Sequence, residues 1–301
     1  MLKTVFITIS ILVSAAVCVH AQVNFNSDDP NFMKFYGVQN QPVFYSFGEA
    51  VSHARYATKL LCKNEFIQQK VRKFKKLTEM QVMVLENNAI ADLPAEIGYM
   101  KNLFILSSKK NKIIYIDPAI ARCGNLMYLE LYNTKLDSLP RSLKSLRSLE
   151  LLRIGANESD TLRIPEELTY LRGLRDLQFF DCNLYRLPAD MQNFDAMERM
   201  VLAGCKLDSL PENFGFMRKL KHLDLQNNAL QVLPASFTKL RNLEYLSLKN
   251  NRLTDLPEGL VWLTKLQTLD VRGNKVPERQ LEIIRLSLPN CRVIKDPPPK
   301  K

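Results

Sequence analysis

The sequence predicts an α/β repeat solenoid, in which parallel strands stack into a curved sheet and irregular or short helical segments form the convex side. Three observations predict it. One apolar pattern recurs from residue 57 to residue 276, with a 23-residue step that is broken only once. Within each copy, apolar and polar residues alternate as a half-buried strand requires. One such strand cannot bury its apolar face alone, whereas stacked copies share a continuous core.

The N-terminus has the features of a secretory signal peptide. Lys3 precedes an apolar run over residues 5–17, which is too short for a permanent membrane anchor. We therefore predict cleavage before Gln22 and a secreted, periplasmic or cell-surface location. A lipoprotein acylated at Cys18 is the less favoured alternative, because Val17 stands where Gly, Ala or Ser usually precedes such a cysteine.

The predicted boundaries follow from where this periodicity starts and stops. The domains are residues 1–21, signal peptide; 22–45, irregular N-terminal segment; 46–56, N-terminal cap; 57–276, repeats; 277–295, C-terminal cap; and 296–301, disordered tail. Helical spacing of Phe47 with Ala50, and of Leu281 with Ile284, predicts a helix in each cap. Caps are expected because end repeats would otherwise expose core.

The repeat contains one polar slot just after each strand. Its occupants are Asn88, Asn111, Thr134, Asn157, Cys182, Cys205, Asn228, Asn251 and Asn274. Every step is 23 residues except the 25-residue step from Asn157 to Cys182, and a degenerate first copy before Asn88 brings the number of repeats to ten. At this slot an Asn side chain satisfies backbone groups that the turn leaves unpaired.

The pattern L-x-x-L-x-L-x-x-N/C-x-L, read for example over residues 220–230, resembles the leucine-rich repeat family across residues 57–276. The Leu-Pro pair that follows in several copies, as at Leu233-Pro234, looks like the bacterial and Ras-group variants. This resemblance implies a horseshoe-shaped protein-interaction scaffold. It also implies that Cys182 and Cys205 are tolerated in the Asn slot, and we expect two buried thiols there rather than a disulfide.

The net charge of the chain is compatible with several kinds of partner. The full chain has a formal charge of +11, and loss of Lys3 with the signal peptide leaves +10. Such an excess favours acidic partners, anionic glycans or membrane surfaces. The densest basic run is Lys70, Arg72, Lys73, Lys75 and Lys76, which we interpret as a solvated face.

Catalytic constellations are missing from the sequence. After cleavage only His53 and His222 remain, and they are far apart in the chain. There is no P-loop, no H-E-x-x-H motif and no C-x-x-C pair. We therefore predict no enzymatic activity, no cofactor and no metal site, and the sequence indicates no nucleic-acid partner. The sequon at Asn157 is interpreted as accidental, because a residue of the Asn slot should be buried.

Parallel stacking predicts that one sheet face is open and presents rows of equivalent residues. Repeats four to seven gather aromatic side chains with Arg, Asp and Glu, a combination that is typical of interface anchors. The predicted partner-binding residues are Tyr128, Glu130, Tyr132, Arg153, Asp176, Gln178, Phe180, Arg199, His222 and Tyr245. The two-residue insertion within residues 157–161 lies at the edge of this group.

Three functions remain open from the sequence. The favoured one is an exported binding module for a protein or peptide. The second is a binder of an anionic glycan or cell-envelope polymer, which the positive charge motivates. The third is an envelope spacer without a specific ligand. The sequence names neither the ligand nor the oligomeric state.

Overall fold

The computed structural model describes residues 41–297 and shows a long parallel sheet. The strands are β1 (Val43–Phe44), β2 (Lys59–Lys63), β3 (Val82–Glu86), β4 (Asp92–Leu93), β5 (Ile105–Lys109), β6 (Tyr115–Ile116), β7 (Tyr128–Tyr132), β8 (Leu151–Gly155), β9 (Asp176–Phe180), β10 (Arg199–Ala203), β11 (His222–Asp224), β12 (Tyr245–Ser247), β13 (Thr268–Asp270) and β14 (Arg292–Ile294). The predictions for the signal peptide, for Cys18, for residues 22–40 and for residues 298–301 fall outside the described residues.

Twelve strands form the main sheet in the order β1-β2-β3-β5-β7-β8-β9-β10-β11-β12-β13-β14, and β4 pairs with β6 separately. Ten of the twelve, β2, β3, β5 and β7 to β13, lie at the predicted repeat positions. They pair in register with the repeat step, so that Leu61 is opposite Val84 and Val201 is opposite Asp224. The predicted solenoid is confirmed.

The Asn slot is a hydrogen-bond ladder inside the turn that follows each strand. Asn251 donates from Nδ2 to the carbonyl oxygens of Leu225 and Leu248, both at 2.9 Å, and its Oδ1 accepts from the Leu230 amide at 3.1 Å. These partners are backbone groups of two repeats, so each rung ties neighbouring turns together. Asn157 is such a rung and is 6% exposed, which removes it as a glycan acceptor in the folded chain.

Short 3-10 helices lie on the side of the core opposite the sheet. They span Gln68–Lys76, Ala95–Tyr99, Pro118–Arg122, Arg141–Ser145, Glu166–Tyr170, Met191–Asn193, Phe214–Phe216, Ala235–Lys239 and Glu258–Trp262. Proline immediately precedes five of them, including Pro234 and Pro257. Proline fixes φ and starts the return segment, as the Leu-Pro pattern predicts.

Between the sheet and these helices runs one apolar core that extends from Phe44 to Cys291. Within the described chain all five cysteines are buried free thiols. Burial raises the pKa of the Cys182 thiol to about 11, which keeps it protonated at neutral pH. Cys182 and Cys205 are two separate thiols, as expected.

The N-terminal edge of the sheet differs from its prediction. Residues 43 and 44, assigned to an irregular segment, form β1 and pair with Lys59 and Leu60. The physical reason is that β2 would otherwise leave its edge backbone groups without partners. Helix α1 (Phe47–Ser52) follows, ends before the predicted residue 56, and contacts β1 and β2.

The C-terminal edge has a similar arrangement. Helix α2 (Glu278–Ser287) buries Leu281 and Ile284. The chain then forms β14, which pairs with β13 as the last strand of the sheet. Helix α2 contacts β14 and the 3-10 helix Glu258–Trp262.

Candidate functional site

The open face of the sheet is made of three rows of side chains, taken from the first, third and fifth strand positions. The first row is Lys59, Val82, Ile105, Tyr128, Leu151, Asp176, Arg199, His222, Tyr245 and Thr268. The central row runs from Leu61 to Asp270, and the third row from Lys63 to Arg272. The register therefore places the predicted site residues side by side in these rows.

Exposure divides the first row into two halves. The five residues from Lys59 to Leu151 are 0–6% exposed. The five from Asp176 to Thr268 are all half-buried. The change falls at the two-residue insertion, between β8 and β9.

Four predicted binding residues are much less accessible than the open-face prediction requires. Tyr128 is 2% exposed, Glu130 1%, Gln178 6% and Arg153 8%. The expectation that these side chains are exposed anchors is wrong, because Tyr128 packs in an apolar cluster and the other three bond to one another. Six predicted residues remain half-buried and accessible, and we call them the accessible strip: Tyr132, Asp176, Phe180, Arg199, His222 and Tyr245.

A buried polar chain crosses the middle of the face. Arg153 donates from Nη1 to Glu130 Oε1 and from Nε to Gln178 Oε1, both at 3.0 Å. Gln178 Nε2 in turn donates to both Asp176 carboxylate oxygens at 2.8 and 2.9 Å. Burial raises the pKa of Asp176, and the bond from Gln178 opposes that rise. Glu130, Arg153 and Gln178 are thus satisfied by hydrogen bonds within the face and are not free to meet a partner, whereas Asp176, at the end of the polar chain, remains half-buried.

An aromatic pair occupies the third row beside this chain. The rings of Tyr132 and Phe180 have centroids 4.9 Å apart, and Lys109 Nζ lies 5.6 Å from the Tyr132 centroid. Gly155 stands between them, and a Cβ at Gly155 would lie 2.1 Å from the Phe180 ring. The missing side chain of Gly155 therefore lets Phe180 reach across its neighbouring strand to Tyr132.

A second aromatic pair lies in the first row of repeats eight and nine. The rings of His222 and Tyr245 are stacked, with centroids 4.3 Å apart and an interplanar angle of 3°. Burial, with Arg199 nearby, lowers the pKa of His222 to about 3, so the imidazole is neutral at physiological pH. The pair presents a flat, uncharged and preformed aromatic surface.

Charged groups flank that surface. The Arg199 Nε lies 3.9 Å from Asp176 Oδ2, which is longer than a hydrogen bond. Asp224 accepts from the Gln226 amide and side chain, both at 3.0 Å. The accessible strip thus joins two aromatic pairs to a half-buried arginine, Arg199, that lies between the carboxylates of Asp176 and Asp224 in its electrostatic interactions.

An ion pair in repeat ten, which was not among the predicted site residues, lies beyond the accessible strip on the same face. Arg272 and Asp270 are two positions apart in the chain, and Arg272 Nε lies 3.0 Å from Asp270 Oδ1. The signal was present, since opposite charges at i and i+2 of a strand share one face. Repeat ten lay outside the group of repeats on which the prediction concentrated.

Two further features lie away from the face. The basic run Lys70, Arg72, Lys73, Lys75 and Lys76 is exposed on the first 3-10 helix, which agrees with a solvated face. At the insertion, Glu158 lies 3.6 Å from Lys135 and 3.8 Å from Lys112. Both are exposed ion pairs of small energetic value.

Among residues 41–297, no group of three or more His, Cys, Asp or Glu side chains is arranged to hold a metal ion. In the same part of the chain no helix has the length and apolar character needed to cross a membrane.

A stacked array of parallel strands and an internal Asn ladder together define a repeat scaffold, in which the half-buried residues of the sheet face are not needed for the repeat. The family model described as "Leucine-rich repeat region" matches residues 60–193, and that described as "Leucine rich repeat" matches 195–253 and 218–276. The chain belongs to the leucine-rich repeat family. Proteins of this family generally mediate protein–protein interaction, and they are typically non-enzymatic scaffolds.

Among solved structures, an internalin shows the same fold, and two others are more distantly similar. An internalin of Listeria monocytogenes is 17% identical, with a TM-score of 0.67 over 90% of this chain and 78% of its own. A leucine-rich repeat protein of Leptospira interrogans is 24% identical over 83% of this chain and 81% of its own, with a TM-score of 0.41. The plant peptide hormone receptor RGFR1 in complex with RGF2 is 22% identical over 75% and 45%, with a TM-score of 0.49. No curated protein matches the chain.

Proposed function

We propose that this chain is an exported, non-enzymatic module that binds a protein or peptide on the accessible strip. The observation that carries the proposal is the preformed aromatic pair His222 and Tyr245 beside Arg199, on a face that the fold leaves half-open. Tyr and Arg dominate binding energy at protein interfaces. Export rests on the signal-peptide pattern of residues 1–21.

Preorganisation supports this location. The two rings are already stacked, so binding does not have to order them, and the entropic cost of association is reduced. The Arg199 guanidinium is half-buried and holds Asp176 only at 3.9 Å, and guanidinium groups bind carboxylates well, which favours a partner with an acidic side chain next to an apolar or aromatic one. Because the His222 imidazole is neutral, it does not repel a positively charged side chain that lies next to this acidic residue in the partner.

The test is retention of partners by immobilised protein from the medium and envelope of the source organism. A variant with His222→Ala, Tyr245→Ala and Arg199→Ala is compared with the unaltered chain. The matched control is Tyr99→Ala, Tyr170→Ala and Trp262→Ala, three exposed rings at the ends of 3-10 helices. We expect one protein to be retained by the unaltered chain and the control, and lost by the strip variant. Equal retention by all three would refute binding at the strip.

A polyanion partner is the second candidate, favoured by the five exposed basic residues of residues 70–76 and by the net charge of +11. Its binding would weaken steeply with salt, because counterions screen each contact. Binding through the aromatic strip would weaken less. A titration from low to high ionic strength therefore separates the two functions.

A further inference from the structure

The last three 3-10 helices carry an exposed row of aromatic and basic side chains. Phe216, Lys239 and Trp262 are each the final residue of one of these helices, and they follow one another at the 23-residue step. Arg218 and Arg241 come two residues after Phe216 and Lys239. We call these five residues the cationic ridge. All five are exposed, and they lie on the side of the core opposite the sheet.

The two rings of the ridge position two of its cations. Nζ of Lys239 lies 4.5 Å from the centroid of the Phe216 ring, and the guanidinium carbon of Arg241 lies 5.5 Å from that of the Trp262 ring. Arg241 also donates from Nη1 to the carbonyl oxygen of Trp262 at 2.8 Å. The rings themselves stay accessible, at 37% exposure for Phe216 and 56% for Trp262. Cation–π contacts of this kind orient the cations without neutralising their charge.

The ridge lacks acidic partners. Within residues 41–297, Arg218, Lys239 and Arg241 form no ion pair. The two preceding repeats supply a contrast, because the position of Arg218 and Arg241 is held there by Arg172 and Asp195, which lie 3.8 Å apart as an ion pair. Two arginines in succession repel each other, and an anionic ligand relieves that repulsion.

We propose that the cationic ridge binds a linear acidic polysaccharide, which lies along the row and contacts one repeat after another. The guanidinium and ammonium groups of Arg218, Lys239 and Arg241 bind carboxylate or sulfate groups of the polymer. The exposed parts of the two rings give the apolar C–H groups of the sugars a surface to contact. The ridge is a different surface from the accessible strip, so this inference and the proposed protein binding can fail separately.

Acidic residues beside the ridge favour a narrow ligand over a flat one. Glu212 and Glu258 are exposed and lie on the N-terminal side of the same helical segments. Glu258 begins the helix that Trp262 ends, which separates the two residues by roughly 8 Å along the helix axis. A flat anionic membrane on the ridge would also meet these carboxylates. A polymer chain that follows the row from repeat to repeat avoids them, so charge complementarity selects a linear polyanion.

The first test uses the fluorescence of Trp262, which is the single tryptophan of the chain and lies on the ridge. Polygalacturonate is titrated into the full chain at low salt, and neutral dextran is the reference polymer. We expect a saturable change in the Trp262 emission with polygalacturonate, which added salt reverses, and no change with dextran. An emission that polygalacturonate leaves unchanged, or an equal change with dextran, would overturn the proposal.

The second test removes the cations of the ridge. A variant with Arg218→Gln, Lys239→Gln and Arg241→Gln should raise the dissociation constant for polygalacturonate about tenfold or more, because three charged contacts are lost together. Isothermal titration calorimetry measures it, since loss of the Arg241 charge also alters the surroundings of the Trp262 ring. Circular dichroism confirms that the variant is folded, as expected for exposed side chains without ion pairs. An unchanged dissociation constant would overturn the proposal.

The matched control removes the same number of charges from the basic run on the first 3-10 helix. Its substitutions are Arg72→Gln, Lys73→Gln and Lys75→Gln, all at exposed residues. We expect it to change the dissociation constant about twofold or less, because distant charges are screened. An equal or larger loss in the control would show that net charge or the basic run attracts the polymer, and would overturn the proposal.

Two further probes separate the polysaccharide from other polyanions. Vesicles of phosphatidylglycerol and a single-stranded oligothymidylate are titrated into the full chain under the same conditions. We expect both to bind more weakly than polygalacturonate. Tighter binding of either probe would overturn the proposal, since the ridge would then be a membrane or nucleic-acid surface. The accessible strip is unaltered in every variant, so none of these results decides the proposed protein binding.

Discussion

Repeats two to five and repeats six to ten present the same strand positions to the same side of the sheet. Their first-row side chains nevertheless differ in polarity and in exposure. In the first group the row reads Val82, Ile105, Tyr128 and Leu151, and all four are buried. In the second it reads Asp176, Arg199, His222, Tyr245 and Thr268, and all five are half-buried. The repeat uses its leucines and its Asn ladder for stability, so these rows are free to differ.

The difference teaches that one sheet face can be buried in one half and accessible in the other. The buried chain of Glu130, Arg153, Gln178 and Asp176 lies at the junction of the two halves. At this junction polar side chains replace apolar ones, and each forms a hydrogen bond with the next side chain in the chain. Four substitutions, in order of decreasing effect, test this division.

The largest effect is expected at the junction. Arg153→Met removes the cation 3.0 Å from Glu130, whose carboxylate is 1% exposed. Removing one partner of a buried pair costs about 3–5 kcal/mol of the free energy of unfolding. Urea denaturation followed by circular dichroism measures it. The control, Arg172→Met, breaks an exposed pair with Asp195 and should change stability by less than about 1 kcal/mol.

A large effect is also expected inside the apolar cluster that contains Tyr128. Ile105→Ala removes a side chain that is 1% exposed and should destabilise the fold by roughly 2–5 kcal/mol. Thr268→Ala changes the half-buried equivalent position in repeat ten and should cost about 0.5 kcal/mol or less. Equal losses of stability at the two positions would mean that the halves of the row are not different environments.

A moderate effect is expected at Gly155. The new Cβ in Gly155→Ala would lie 2.1 Å from the Phe180 ring, so the ring has to move away from Tyr132. Overpacking of this kind costs about 1–3 kcal/mol. Near-ultraviolet circular dichroism should show a changed tyrosine signal. An unchanged signal and stability would show that the Phe180 ring does not depend on the gap at Gly155.

The smallest effect is a pH dependence from His222. Burial lowers its folded pKa to about 3, so the unfolded chain binds a proton below about pH 6.5 that the folded chain does not. Stability conferred by the neutral ring is therefore complete above pH 6.5 and falls as the pH drops, by up to about 2 kcal/mol at pH 5. His222→Phe should reduce this slope. A slope that is identical in the variant would contradict the burial of His222.

The sequence predicted the periodic part of this structure well. The spacing from Asn88 to Asn274 located nine repeat strands and their register, and one further step back located the first, because the slot lies at a fixed distance from its strand. It did not predict β1 or β14, since edge pairing depends on unpaired backbone groups and not on side-chain pattern. Both strands lie at the ends of the sheet, outside residues 57–276, where the repeat pattern gives no information.

The candidate site was predicted less completely. Row membership was correct, because alternation fixes which face a side chain occupies. Exposure was not predicted correctly, since the burial of Tyr128 depends on its tertiary surroundings, which the alternation along one strand does not fix. Gly155 gave no signal in the pattern, because its role appears only when Phe180 is placed on the neighbouring strand.

Hydroxyl-radical footprinting of the full chain tests the division of the face most directly, because Tyr128 and Tyr245 are the same residue type at the same row position. The oxidation rate of each is read by mass spectrometry, with the exposed Tyr185 as the reference for full reactivity. We expect Tyr245 to be oxidised several times faster than Tyr128 and more slowly than Tyr185. Equal rates at Tyr128 and Tyr245 would contradict the division of the face into a buried and an accessible half.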